Sequence, residues 1–386
     1  MRLNRVLEKL TPYRAGPAWQ EIQRRYQLER VVVLSANETP WGPFPEVIEA
    51  MSSALGGLNR YPDGDCDELR SIVAQQRAVA EDCVVFGNGS CELLMLLGQA
   101  FLCADNHMVF PQPSFVMYRT IALMHGGPFT AVPLKDLDYD LDAMLAAVKD
   151  NTSLVVVCNP NNPTGSYIKP RVLREFLDRV PQDTVIVLDE AYGEFVTAPE
   201  QEDSAAWLVD HPNLVILHTF SKIYGLAGLR LGYGLAGPRI VQALDKVRQP
   251  FNVDSLAQVA GSESLRRPER MGERRASVAA ERARLAARLA GMGIRCHPSE
   301  ANFLLVDVTT LGLPGPDVPQ ALLERGILTR SGYAMDCPGW IRVTIGEVDE
   351  GDLFLAAMAE LQQGREQELA PHVVNGLTAE ALSPES

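Results

Sequence analysis

The chain has 386 residues, of which 46% are apolar and 22% are charged, an ordinary composition for a globular protein long enough to form two domains. The formal net charge of -14 argues against a general nucleic-acid-binding protein, whose affinity depends on neutralising phosphates. The sequence contains no apolar run of about 18 residues or more and no apolar signal segment after Met1, so we expect a cytoplasmic protein that does not enter a membrane.

The cysteine and histidine patterns do not predict a metal site. The seven cysteines include no CxxC pair, and the six histidines include no HxxxH or HExxH spacing. Scattered thiols without a pairing pattern suit a reducing compartment. We therefore expect no bound metal.

In chain order, residues 1–43 predict an N-terminal arm and part of a small domain: a short helical piece, the turn "LTPYRAGPAW" and the apolar strand "VVVLSA". Residues 44–280 then alternate short apolar runs with helical stretches and predict a large domain. Its unalternating runs, typical of parallel strands buried on both faces beneath helices, are "CVVFGN", "HMVFP", "SLVVVCNP", "TVIVLDEA" and "NLVILHTF". Polar residues follow these runs, at the sheet edge where α/β proteins bind ligands.

The C-terminal third predicts a linking helix and a second domain. Residues 261–294 have a long helical pattern whose arginines could form a nucleic-acid patch, but interspersed acids and absent aromatics favour a solvated helix face. Residues 281–364 then predict a smaller α/β domain with strands at "NFLLVDV", "GILTR" and "WIRVTIGE". Residues 365–386 lack a sustained pattern and predict a mobile tail.

Two motifs at strand ends could hold a phosphate and a flat ring. In "GNGSCELLMLLGQAF", a glycine turn leads into a helix at Ser90, where free N–H groups and the helix dipole favour a phosphate, although a simple N-cap is the alternative. The spacing matches neither GxGxxG nor the P-loop. In "PQPSFVMY", Phe115 is either a core residue or an aromatic that stacks on a planar ligand.

Two further motifs place amide and carboxylate groups at strand ends. "CNPNNPTG" contains Asn162 among more amides than a plain turn requires. "VIVLDEAYGEF" ends an apolar run at Asp189, with Tyr192 three residues later. A buried carboxylate needs donors or a cation, so Asp189 either caps a helix, forms a structural ion pair, or pairs with a cationic ring nitrogen.

The segment "HTFSKIYGLAGLRLGYG" contains Lys222 near Thr219, Ser221 and Arg230. A surface charge is the simplest interpretation of a lysine, but hydroxyls and an arginine beside a glycine turn also suit a phosphate ester. Burial or neighbouring cations lower a lysine pKa and make the amine a nucleophile. Together with the other strand ends, the segment specifies a phosphate, a flat ring, a protonated ring nitrogen and an aldehyde. Those groups describe pyridoxal 5'-phosphate.

The order "GNGS", "NNPTG", "DEAY" and "SK…GLAGLRLGY" resembles the class I/II pyridoxal-phosphate aminotransferases over nearly the whole chain. The resemblance implies an aspartate-aminotransferase-like α/β fold, with a mostly parallel sheet covered by helices and a smaller α/β domain. It implies that Lys222 binds the cofactor aldehyde, that Asp189 pairs with the ring nitrogen and that Phe115 stacks on the ring. It further implies two groups of cofactor contacts: Asn162 and Tyr192 at the ring oxygen, and Ser90, Cys91, Thr219, Ser221 and Arg230 around the phosphate.

Within that family, "LTPYRAG", "LSANETPWGP", "RYPD", "PFNVDSLAQ" and "IRVTIGE" look like the histidinol-phosphate aminotransferase branch. By this resemblance, Tyr61 reaches the cofactor phosphate of a second subunit in a homodimer. The residues implied around the substrate are Tyr13, Asn37, Asn252, Arg330 and Arg342. Arg342 would take the carboxylate of glutamate, and two guanidinium forks suit both a carboxylate and a phosphate monoester. Cys91 departs from the branch, which usually has Asp there.

The implied reaction converts L-histidinol phosphate and 2-oxoglutarate to imidazole acetol phosphate and L-glutamate, in histidine biosynthesis. The implied partners are a small amino donor and a keto acceptor, with Lys222, Asp189 and Tyr192 as catalytic residues. An aromatic amino-acid aminotransferase shares the cofactor residues and is an alternative. A threonine-phosphate decarboxylase, which is a lyase, is another. A cofactor-sensing regulator would need an additional DNA-binding domain.

Overall fold

The computed structural model describes residues 3–12, 18–313 and 317–374. The strands are β1 (Val32–Val33), β2 (Val84–Asn88), β3 (His107–Gln112), β4 (Phe129–Pro133), β5 (Thr152–Cys158), β6 (Val185–Asp189), β7 (Leu214–Thr219), β8 (Leu231–Ala236), β9 (Cys296–His297), β10 (Phe303–Asp307), β11 (Ile327–Leu328), β12 (Arg330–Ser331) and β13 (Trp340–Thr344). The helices are α1 (Trp19–Tyr26), α2 (Pro45–Ala54), α3 (Asp67–Gln76), α4 (Ser90–Phe101), α5 (Met117–His125), α6 (Leu141–Ala146), α7 (Pro170–Leu177), α8 (Pro238–Val247), α9 (Ser255–Leu265), α10 (Pro268–Gly291), α11 (Asp317–Glu324) and α12 (Val348–Val374). Short 3₁₀ turns connect several of them.

A seven-stranded sheet forms the centre of the larger part of the protein, in the order β2-β8-β7-β6-β5-β3-β4. The strands from β7 to β4 are parallel, and β8 runs antiparallel to both of its neighbours. Alternate residues of β5 enter two separate hydrophobic cores: Val155 and Val157 belong to one, and Leu154 and Val156 to the other. The sheet is therefore buried on both faces, as its continuous apolar runs predicted.

A four-stranded antiparallel sheet in the order β12-β13-β10-β9 forms the smaller part, and β1 pairs in parallel with β11. The N-terminal strand β1 therefore packs with the C-terminal part through β11. The predicted domain boundaries at 43/44 and 280/281 stay predictions. The helix α12 continues through Val374, and residues 375–386 of the predicted tail lie outside the described residues.

The long helix predicted over 261–294 is divided in the structure. Helix α9 ends at Leu265, α10 begins at Pro268, and α10 ends at Gly291. Proline has no N–H group and its ring collides with the preceding turn, so it is tolerated only at the start of a helix. Pro268 is therefore the sequence signal that marks this boundary.

Within the described ranges, no helix is both long enough and apolar enough to cross a membrane. The parallel strands β5, β6 and β7 end side by side, because Cys158 pairs with Asp189 and Asp189 pairs with Leu217. This register brings the polar residues that follow the three strands to one edge of the sheet.

Candidate active site

One cavity of about 390 Å³ opens at this edge of the sheet and extends to the four-stranded sheet. It brings together thirteen of the predicted site residues. These are Asn37, Ser90, Cys91, Phe115, Asn162, Asp189, Tyr192, Thr219, Ser221, Lys222, Arg230, Arg330 and Arg342. At its rim, the Gln112 side-chain amide donates to Asp336 Oδ2 at 3.0 Å, which joins the two parts of the protein.

The Lys222 amine lies inside this cavity, in a loop held close to the N-terminal segment. Its Nζ donates to the carbonyl of Ala36 at 3.2 Å and lies 5.7 Å from the centre of the Tyr192 ring. Burial, and next the Arg342 guanidinium, lower the pKa of Lys222 from 10.5 to about 8. About a tenth of the amine is therefore neutral at pH 7, far more than for a solvated lysine, and the neutral form is the one that a nucleophile or a general base requires.

Asp189 ends β6 with its side chain buried at the cavity wall. Its Oδ2 accepts a hydrogen bond from the Tyr118 hydroxyl at 2.8 Å, and its Oδ1 accepts one from the Ala191 N–H at 3.1 Å. Burial raises the pKa of Asp189, and these two donors oppose the rise. Sequence reasoning missed Tyr118, although it lies one helical turn after Phe115 in "PQPSFVMY".

Another part of the cavity wall contains groups that suit an anion. Helix α4 begins at Ser90 without a side-chain cap, so N–H groups of its first turn are available to a ligand. A Cβ atom at Gly89, whose φ is +79°, would lie 2.6 Å from Arg230 Nη2. Arg230 Nη1 donates to Ser221 Oγ at 3.2 Å, and the Ser221 N–H donates to Thr219 Oγ1 at 3.1 Å. Glycine at position 89 thus leaves room for a guanidinium beside the start of the helix.

Cys91 follows Ser90 in the first turn of the same helix and lines the cavity. Burial raises the pKa of its thiol, so the side chain is uncharged at neutral pH. An uncharged thiol adds no repulsion toward an anion at this helix start.

Two arginines face each other on the small-domain side. Arg330 on β12 pairs directly with Arg342 on β13, which places both side chains on one face of the sheet. Arg342 Nη1 donates to Asn162 Oδ1 at 2.5 Å and Nη2 donates to the Ser35 carbonyl at 2.8 Å. The Arg342 fork is thereby held in place at the cavity wall.

Asn37 supports Tyr192 in addition to lining the cavity. Its Nδ2 donates to the Tyr192 hydroxyl at 2.9 Å, while its own backbone N–H donates to Thr344 Oγ1 at 3.0 Å. The side chain thus connects the N-terminal segment, the small sheet and the predicted cofactor contact.

Three predicted residues do not line the cavity or cannot be placed. Tyr61 is 81% exposed, and its ring stacks on Phe251 with centroids 4.6 Å apart. Asn252 Nδ2 donates to Glu92 Oε2 at 2.7 Å and to the Phe86 carbonyl at 3.2 Å. Tyr13 lies outside the described residues. In the part of the chain that the structure describes, no group of three or more His, Cys, Asp or Glu side chains could hold a metal ion.

Comparison with known proteins identifies the family. Residues 29–358 match the family described as aminotransferase class I and II. The chain belongs to this family. The aminotransferase is 39% identical over 361 residues to a histidinol-phosphate aminotransferase from Halalkalibacterium halodurans, covering 94% of this chain and 97% of that relative.

Solved structures agree with this assignment. The crystal structure of histidinol-phosphate aminotransferase from Sinorhizobium meliloti, in complex with pyridoxal-5'-phosphate, superposes on this aminotransferase with a TM-score of 0.85 and 29% identity. The alignment covers 94% of this chain and 98% of that one. Aspartate aminotransferase from Thermus thermophilus has a TM-score of 0.82 at 22% identity, which shows the shared fold. The predicted family and fold class are therefore confirmed.

Proposed function

We propose that this aminotransferase binds pyridoxal 5'-phosphate and transfers the amino group of L-histidinol phosphate to 2-oxoglutarate. Imidazole acetol phosphate and L-glutamate are the products, in histidine biosynthesis. The observation that carries the proposal is the single cavity that contains a lysine of lowered pKa, a buried carboxylate and an anion cradle. Relatives named histidinol-phosphate aminotransferase, about 39% identical over nearly the whole chain, support the choice of substrate.

The residues present fit the proposed cofactor. The glycine cradle at Gly89, the uncapped start of α4 and the Arg230 guanidinium suit a phosphate. The buried Asp189 carboxylate, which accepts hydrogen bonds from Tyr118 and Ala191, suits a protonated ring nitrogen. When bound, pyridoxal phosphate supplies an aldehyde for an amine and a ring that accepts electrons from the reacting carbon. Asn162 and Tyr192 would hold the ring oxygen, and Phe115 would cover one face of the ring.

Lys222 acts first as the amine that holds the cofactor and then as the base. Its pKa of about 8 leaves it able both to take up and to release a proton near neutral pH. Its Nζ is the group that removes the proton from the substrate carbon bearing the amino group. The Ala36 carbonyl, 3.2 Å from Nζ, orients the amine within the cavity.

The Arg330–Arg342 pair supplies the substrate selectivity. The enzyme must accept a dicarboxylate and a phosphate monoester in turn, and guanidinium forks fit both anions. We assign the glutamate carboxylate to Arg342 and the phosphate end of the substrate to Arg330. Asn37, Asn252 and Tyr13 remain predicted members of the substrate site.

A second copy of the chain completes the site in this proposal. Tyr61 and Phe251 form an exposed aromatic pair that does not line the cavity of their own subunit. In a homodimer this surface would face the cofactor phosphate of the other subunit, where Tyr61 contributes its hydroxyl. The seven cysteines are all free, which suits the reducing cytoplasm.

Half-reactions with three amino donors test the function. Purified protein with bound pyridoxal phosphate is mixed with histidinol phosphate, phenylalanine or phosphothreonine, and loss of the cofactor absorbance is followed. Histidinol phosphate should react with the highest kcat/KM. A faster reaction with phenylalanine would indicate the aromatic aminotransferase instead, and release of carbon dioxide from phosphothreonine would indicate the lyase. If the protein shows no cofactor absorbance that Lys222→Ala alters, the cofactor assignment is wrong.

A further inference from the structure

Tyr118 on α5 is a buried tyrosine whose hydroxyl meets the carboxylate at the cavity wall. Its side chain is wholly buried, and its hydroxyl donates to Asp189 Oδ2 at 2.8 Å. Asp189 Oδ1 accepts from the Ala191 N–H at 3.1 Å. Each carboxylate oxygen can accept about two hydrogen bonds, so one position on each oxygen is left for a ligand in the cavity.

A turn at the start of α5 connects Tyr118 with Phe115, the predicted stacking residue. The N–H of Tyr118 donates to the Phe115 carbonyl at 3.1 Å, and the two rings meet edge to face with centroids 5.8 Å apart. Phe115 lies two residues before α5 and is tied to Tyr118 by this hydrogen bond, so the ligand face covered by Phe115 and the ligand edge met by Asp189 are set by one short segment.

The electrostatic surroundings make this hydroxyl important to Asp189. Burial raises the pKa of Asp189, which favours the neutral acid, while the Tyr118 hydroxyl favours the carboxylate. The other groups facing this region include the Cys158 thiol on β5 and the His218 ring on β7. A neutral acid could not form an ion pair with a protonated ring nitrogen.

We propose that Tyr118 is a positioning residue whose hydroxyl holds the Asp189 carboxylate in the orientation and the charge state that pair with the ring nitrogen of the cofactor. This inference rests on the proposed function, because it requires pyridoxal phosphate in the cavity. Tyr118 itself does not line the cavity and is not a catalytic residue.

The test compares two ligands in the full-length protein. Wild type and Tyr118→Phe are loaded with pyridoxal phosphate or with its 1-deaza analogue, in which C–H replaces the ring nitrogen. The dissociation constants are measured from ligand release on dilution. Tyr118→Phe should weaken pyridoxal phosphate by about ten-fold to a hundred-fold, as expected for a hydrogen bond to a charged group. It should change the affinity for the analogue by less than about three-fold, because the analogue cannot pair with Asp189.

Tyr139→Phe is the matched control. Tyr139 is another tyrosine near the cavity, but its hydroxyl donates to the Cys158 carbonyl at 2.7 Å. Its removal should affect the two ligands equally. In an Asp189→Asn background, Tyr118→Phe should lose most of its effect on pyridoxal phosphate, since the charged partner is gone.

Equal weakening of both ligands by Tyr118→Phe would overturn the inference, because it would indicate general loss of packing. If Tyr118→Phe does not fold, Tyr118→His is tested in its place, because histidine keeps a hydrogen-bond donor. Tyr118→His should still bind pyridoxal phosphate more tightly than the analogue. Equal affinities would reject the positioning role of Tyr118. A wild-type protein that binds no pyridoxal phosphate would instead refute the proposed function, so the two failures are distinguishable.

Discussion

Replacing Lys222 with methionine should stabilise the cofactor-free protein at neutral pH while abolishing its activity. The amine is held in a cavity where burial and the Arg342 guanidinium disfavour its charged form. Methionine has a similar length and no charge. The substitution therefore removes the free-energy cost of burying a charged amine and keeps most of the packing. The expected gain in the free energy of unfolding measures how strongly the fold lowers the pKa of Lys222.

The size of the effect follows from the lowered pKa. A change from 10.5 to about 8 corresponds to about 3 kcal/mol, at about 1.4 kcal/mol for each pKa unit. Below pH 8 the amine is protonated in both the folded and the unfolded protein, so the wild type has the full destabilisation. Between pH 8 and 10.5 the folded protein has released the proton and the unfolded chain has not, so the destabilisation falls as pH rises.

Urea unfolding of both proteins without cofactor, at several pH values from 7 to 11, measures this difference. The advantage of Lys222→Met should be largest near pH 7 and should decline by about 3 kcal/mol toward pH 11. Lys246→Met provides the control, because Lys246 is exposed on α8 and solvent surrounds its amine in the folded protein. A difference that stays constant across this pH range would refute the reasoning that the Lys222 amine is desolvated.

Three further substitutions test other parts of the structure. Gly89→Ala should weaken pyridoxal phosphate binding at least about ten-fold, because the new Cβ would lie 2.6 Å from Arg230 Nη2 at a φ of +79°. Arg330→Ala should raise KM for histidinol phosphate about ten-fold or more, and more than for glutamate, because Arg330 is assigned to the substrate phosphate. Arg282→Ala should lower the free energy of unfolding by about 2 kcal/mol in a urea titration, because it removes the charged donor to the Glu300 carboxylate at 3.1 Å and to the Ala301 carbonyl at 2.8 Å.

Each of these substitutions has a control or a contrary outcome. A Cβ atom at Gly228 would meet no atom within 4 Å, so Gly228→Ala should leave cofactor affinity unchanged. Equal losses with histidinol phosphate and glutamate would reject the role of Arg330. Arg288 is exposed on α10, and Arg288→Ala should change stability by less than about 0.5 kcal/mol. A loss for Arg282→Ala as small as that for Arg288→Ala would contradict the argument that these two hydrogen bonds stabilise the fold.

The seven-stranded sheet shows which strands local sequence patterns can predict and which they cannot. The apolar runs predicted five of its strands, because a strand buried on both faces must be apolar throughout. The strand β8, with the sequence "LGYGLA", was not predicted, since two glycines weaken its strand signal. Gly232 is nevertheless required there, because a Cβ atom would lie 2.5 Å from the N–H of Ser90.

The candidate site likewise combines residues that local patterns indicated with contacts that they did not. Asp189 ends a strand, and Lys222 and Asn162 come shortly after the ends of two others, so the sequence alone indicated that they would meet. The hydrogen bonds that support the site residues could not be predicted from the sequence. Tyr118 has the pattern of a core tyrosine, and Asn37 is linked to Tyr192 across 155 positions of the chain. Such contacts depend on how separate elements pack, which no local pattern encodes.

By itself, the sequence determined the α/β class and the family, and it indicated which residues gather at the strand ends, because each rests on residue types at short spacing within one strand or turn. Only the tertiary structure decided that Arg330 and Arg342 stand directly opposite each other, and that a tyrosine hydroxyl reaches Asp189. Strand register and helix docking are set by the packing of the whole core, so groups distant in the chain acquire their distances only when the protein folds.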